Sequence, residues 1–133
     1  MRTLTICAML ALIAPVPAIG ASLSATAQSG VKTKVSSHAA FGSSCVPQRV
    51  IVKVTTPLAN GSVTTAEESA VMPAHTKLGG AQRCAGRSAP TAVLYYQSKP
   101  RFKGQDRFKY QRLNQNDPND RLNGEIILTV TVK

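Results

Sequence analysis

The stretch QDRFKYQRL, Gln105 to Leu113, alternates charged or polar with aromatic residues through its centre, Arg107 to Gln111, and nothing else in the chain restricts its fold as tightly. Successive side chains of a strand point to opposite faces. Asp106, Phe108 and Tyr110 therefore share one side, and Arg107, Lys109 and Gln111 the other. The closing EIILTVTV follows the same rule, with Ile126, Leu128, Val130 and Val132 on one face and Thr129 and Thr131 opposite. A period of two argues against a helix, and each such segment needs a second layer to cover its apolar face.

Other segments extend this pattern. RVIVKVTT, Arg49 to Thr56, alternates, and TAVLYYQS, Thr91 to Ser98, is rich in β-branched and aromatic residues. Between them PLANGSVTT reads as a turn, because Pro57 cannot continue a ladder and Asn60-Gly61 suits the positive φ of a tight turn. Ser62 to Thr65 begins the next strand. The middle, AEESAVMPAHTKLGGAQRCAGRSAP, keeps no period; the expectation is irregular chain with a short strand, and room for a helical turn near Thr65 to Val71. NQNDPNDRLNG is a turn-rich loop. About seven short strands with turns every 8–12 residues predict an all-β antiparallel sandwich.

The first 27 residues read differently. Arg2 provides a positive start, Leu4 to Ala14 a short apolar run, and Pro15 and Pro17 break it before it reaches the roughly 20 residues of a membrane span. Ala25-Thr26-Ala27 then offers a small-residue cleavage site, with an earlier cut near Gly20 as the alternative. The expected organisation is a signal peptide over 1–27, a flexible arm or first strand over 28–44 and the sandwich over 45–133. The expected location is the periplasm or the exterior, with no transmembrane segment after cleavage.

Losing that leader removes Cys7 and leaves Cys45 and Cys84. In an oxidising compartment two remaining thiols in a small domain are expected to form a disulfide; no C-x-x-C spacing or neighbouring His favours a metal site or a reactive thiol. A domain of about 100 residues buries only about two-thirds of its unfolded surface, so such a staple matters.

Charge is one-sided. The full chain has 16 Lys and Arg against 6 Asp and Glu. That surplus favours anionic partners through salt-dependent attraction. Outside the cytoplasm these are lipid head groups and acidic glycans of the envelope, and nucleic acid is not the expected ligand. The stretch YYQSKPRFKGQDRFKY, Tyr95 to Tyr110, concentrates cations between aromatics. A single-strand nucleic-acid binder would place its aromatics and cations on one face, whereas alternation here separates them. Lys99, Arg101, Lys103, Arg107 and Lys109 form the candidate anion-binding set, with Arg112 a weaker member that strict alternation would put beside Asp106.

Three short motifs carry a resemblance. PLANGSV supplies Pro57, Gly61 and Val63. YYQSKPRFKGQDRFKY supplies Tyr96, Pro100, Phe102, Gly104, Asp106, Phe108 and Tyr110, and LTVTV closes the chain. Over about Arg49 to Lys133 the chain resembles bacterial immunoglobulin-like and cadherin-like modules, and it looks like small exported single-domain proteins of Gram-negative bacteria. The resemblance implies an immunoglobulin-like sandwich, with Phe102 and Gly104 in a bend and Asp106 serving backbone N–H groups there. It also implies a Tyr110 hydroxyl bonded back to nearby backbone, as in a tyrosine corner. Such modules are often tandem, often acidic, and some bind calcium; this chain is single and basic.

Catalytic and metal chemistry find little material. His38 and His75 are the only histidines and are expected at the surface. Glu67 and Glu68 are adjacent, so in a strand they point apart. Asp117, Asn119 and Asp120 start like a calcium loop, but Arg121 stands where a ligand is needed. The expectation is a non-catalytic domain with no metal or cofactor, which binds an anionic envelope component or a partner protein through a basic face. The alternatives are an assembly subunit recognised through a strand edge and an inhibitor of an exogenous enzyme.

Overall fold

A computed structural model describes residues 20–74 and 82–133. His75 lies outside the described residues. Nine strands appear in chain order: β1 (Ala21–Ala27), β2 (Thr33–His38), β3 (Ala40–Phe41), β4 (Pro47–Gln48), β5 (Val50–Val54), β6 (Gly61–Val71), β7 (Ser88–Ser98), β8 (Gly104–Asn114) and β9 (Gly124–Val132). A 3-10 turn, Gln82–Cys84, precedes β7. No described helix is long and apolar enough to cross a membrane.

Two sheets carry the fold. One has the order β1-β9-β8-β5, the other β2-β7-β6, and β3 pairs with β4 as a small separate ladder. Both sheets contribute to one core, in which Leu94 and Tyr96 of β7 meet Phe108 and Tyr110 of β8 and Ile126, Leu128 and Val130 of β9. The expected all-β sandwich is therefore present. Architecture alone identifies neither a family nor an activity.

β8 and β9 form where alternation placed them. They pair antiparallel from Gly104↔Val132 to Arg112↔Gly124, which brings Phe108 opposite Leu128 and Tyr110 opposite Ile126. Both strands begin on a glycine of positive φ, Gly104 at 129° and Gly124 at 131°, a backbone shape that side-chain-bearing residues resist.

Two expectations need correction. Thr65 to Val71 contains no helical turn: Gly61–Val71 is one unbroken strand, paired with β7 residue by residue. Its small, β-branched and charged residues have no hydrophobic stripe because the strand lies at a sheet edge, exposed over most of its length. Gly61 is not among the positive-φ glycines. It serves by its small size, since a Cβ there would sit 2.7 Å from the Gln97 carbonyl oxygen and 2.8 Å from the Tyr96 ring. Within 28–44, for which an arm or a first strand was expected, Thr33–His38 is a strand, bulged between Lys34 and Ser36 where it pairs with β7.

Ala21–Ala27 lie within the expected leader. These residues form a strand that pairs parallel with β9, from Ala21↔Ile126 to Ala27↔Val132. The sandwich is thus not purely antiparallel, and the expected leader boundary at residue 27 falls at the end of a strand the sheet uses.

Cys45 and Cys84 form the expected disulfide, with Cα atoms 5.5 Å apart. It ties the β3–β4 ladder to the 3-10 turn ahead of β7 at one pole of the sandwich.

Candidate anion-binding pole

At the opposite pole, β7 and β8 are joined by Lys99 to Lys103, whose first four residues, Lys99-Pro100-Arg101-Phe102, form a turn. The Phe102 N–H donates to the Lys99 carbonyl at 3.2 Å, and Arg101 has a φ of 66°. Pro at the second position and positive φ at the third are the marks of a type II turn, in which glycine or asparagine normally holds the third place. Arginine in that conformation costs about 1–2 kcal/mol in an L-residue. The turn is held from several sides. Phe102 packs against the core, and the Lys99 N–H donates to the Asn60 carbonyl at 2.8 Å. Beside it, the Gly30 N–H donates to Ser98 Oγ at 2.9 Å, and Gln97 Nε2 donates to the Gly30 carbonyl at 2.8 Å.

Lys99, Arg101 and Lys103 are exposed on this turn. Because Gly104 faces Val132, Lys103 adjoins the end of β9 and brings a further exposed cation, Lys133, to the same pole. The backbone of Lys133 is fixed there by its N–H donating to Ala27 and its carbonyl accepting from Ser29, both at 3.0 Å. Sequence reasoning missed Lys133, because only the β8–β9 register shows it next to Lys103.

The other candidate residues separate. Arg107 is exposed on the outer face of the four-stranded sheet, opposite Thr129. Lys109 shares that face but lies 3.3 Å from Glu125, so its charge is partly compensated. Arg112 does not belong to the surface set at all. It is 2% exposed, and its guanidinium donates to Asp120 at 3.1 Å, Asn123 at 3.2 Å and the Ala39 carbonyl at 3.4 Å. Alternation along β8 turns it inward with Phe108 and Tyr110. Burial alone would raise Asp120, but the Leu122 N–H, Asn114 and Arg112 together hold its carboxyl below the ordinary value.

Carboxylates are placed away from the pole or already occupied. Glu68 accepts from Lys34 at 2.7 Å and from the Tyr95 hydroxyl; Glu67 pairs with Arg49 at 3.1 Å. Asp106 is buried, accepting from the Tyr96 hydroxyl and the Arg107 N–H. Among the described residues that N–H is the one backbone donor to its side chain, fewer than the resemblance implied. Among the described residues, Lys99, Arg101, Lys103 and Arg107 take part in no ion pair.

His38 is buried rather than at the surface, 5% exposed. Its Nε2 lies 2.7 Å from the Tyr110 hydroxyl and 2.9 Å from Ser36 Oγ, and those two oxygens are themselves 2.9 Å apart. Tyr110 thus bonds side chains of the facing sheet and not nearby backbone, unlike a tyrosine corner. Burial, then the Arg112 charge, push the imidazole down to about 4; burial pushes the Tyr110 hydroxyl up to about 12. A neutral imidazole locked between two hydroxyls joins β2 to β8 across the sandwich.

Comparison with family models, with curated proteins and with solved structures returned no match.

Proposed function

We propose that this is an exported, non-catalytic sandwich domain that docks on an anionic envelope surface through the β7–β8 pole. The observation that carries this reading is the turn itself: a strained Arg101 stands between Lys99 and Lys103, and among the described residues no carboxylate is paired to any of them. Backbone strain persists where its surroundings enforce it and is concentrated at functional sites. Arg107 extends the cationic surface along the sheet, and Lys133 widens it at the tip. The ligand chemistry that fits is clustered phosphate or carboxylate, from lipid head groups or acidic glycans. Export is supported by the leader-like first residues and by the disulfide, which suits an oxidising compartment.

The test is charge reversal. Lys99→Glu, Arg101→Glu and Lys103→Glu combined should weaken binding to phosphatidylglycerol vesicles on the order of 100-fold, since each cation near an anionic membrane is worth about 1 kcal/mol. The far-UV spectrum and melting profile should stay those of the parent. Unchanged affinity would remove the pole from the account.

A second reading attaches to β6. Its eleven residues pair with β7 without a register shift and lie at the free edge of their sheet. A partner strand added there would bind through backbone hydrogen bonds and respond little to salt.

A further inference from the structure

We propose that export processing cuts the chain between Gly20 and Ala21, so that the mature protein begins with β1. The inference rests on the export reading above and goes beyond it by fixing the site. Ala18-Ile19-Gly20 and Ala25-Thr26-Ala27 are the small-x-small sets at the two cuts weighed from the sequence, and either satisfies a signal peptidase in sequence terms. The fold separates them. β1 spans the residues between the two cut points and contains the second set, and all seven of its residues are in register with β9. Ala27 is 3% exposed, and Leu23 and Ala25 pack against the main core. A cut after Ala27 would remove the whole strand and strip the outer edge of β9, whose Ile126, Leu128, Val130 and Val132 are buried. An uncovered apolar edge of that kind is an aggregation site.

A cut after Gly20 leaves every β1–β9 pair in place. Water adds across the Gly20–Ala21 peptide bond, leaving a carboxylate on the released leader and an ammonium on Ala21. That ammonium starts the strand beside Glu125, the residue preceding the register partner of Ala21, and brings a positive charge to an acidic neighbour.

The experiment is intact-mass analysis and N-terminal sequencing of the full chain, expressed with its own leader in a Gram-negative host and taken from the periplasmic fraction. The expected product lacks residues 1–20 and begins Ala-Ser-Leu-Ser. Gly20→Leu should leave precursor uncut, whereas Ala27→Val should leave the start at Ala21. A product beginning at Gln28 would overturn the site while sparing the export reading. Full-length protein retained in the cytoplasm would overturn both. The wild-type mass decides the matter even if the Ala27 variant folds poorly.

Discussion

Arg112 and Asp120 form an ion pair inside the sandwich, 3.1 Å apart, with the arginine side chain 1% exposed. The pair closes the polar end of the core and joins β8 to the loop before β9. Removing one member of a buried pair leaves the other charge uncompensated, at a cost of about 3–5 kcal/mol. Asp120→Ala should therefore lower unfolding free energy by about 3 kcal/mol in urea titrations, while affinity for anionic vesicles stays unchanged. Weakened binding without lost stability would return Arg112 to the binding surface.

Arg101 allows a test in which stability and binding move in opposite directions. Arg101→Gly relieves the left-handed backbone and should raise unfolding free energy by up to about 1 kcal/mol, a gain reduced by glycine's freer unfolded chain. The same change removes a cation from the pole and should weaken vesicle binding several-fold. Loss of both stability and binding would mean that the arginine side chain supports the turn rather than a ligand.

The disulfide should matter in proportion to the loop it closes. Cys45 and Cys84 are 39 positions apart, and chain-entropy arguments give about 4 kcal/mol for a loop of that size. Reduction with dithiothreitol should lower the melting temperature substantially in a thin-cored domain. A melt unaffected by reductant would show that the β3–β4 end is held by other contacts.

His38 sets an acid limit. Its folded value of about 4 lies below the 6.5 of an unfolded chain, so folding favours the neutral imidazole. That contribution is whole above about pH 6.5 and is lost as the pH falls toward 4, where the folded imidazole itself protonates. Burial disfavours the cation first, and Arg112 adds repulsion, while Ser36 and Tyr110 face the ring with hydroxyls. Denaturant titrations should lose on the order of 3 kcal/mol across that window, and His38→Gln should flatten the slope. A wild-type profile flat from pH 7 to 4 would contradict a buried neutral histidine.

Much of the sandwich was legible because β8 and β9 face the core on one side only, and period-two alternation records that directly. It even turned Arg112 inward, though the counter-charge that makes burial tolerable sits in an irregular loop and leaves no periodic trace. β6 was obscured by the same physics: an edge strand exposed on most positions has no apolar face to report, so Thr65 to Val71 reads as anything. β1 was hidden by composition, since its small residues serve equally as cleavage site and as strand. Of the candidate pole, Lys99, Arg101 and Lys103 could be read from one turn. Lys133 could not, because its place beside Lys103 is a matter of register between strands, and the pairing of Lys109 with Glu125 is another such matter.

Co-sedimentation of the oxidised protein with phosphatidylglycerol and with phosphatidylcholine vesicles, at 0.05 and 0.5 M salt as roughly spaced conditions, tests the central claim most directly. Docking through the pole requires binding to the anionic vesicles alone, strong at low salt and largely abolished at high salt. Binding that ignores both salt and lipid charge, or no binding at all, would contradict it and shift attention to the free edge of β6.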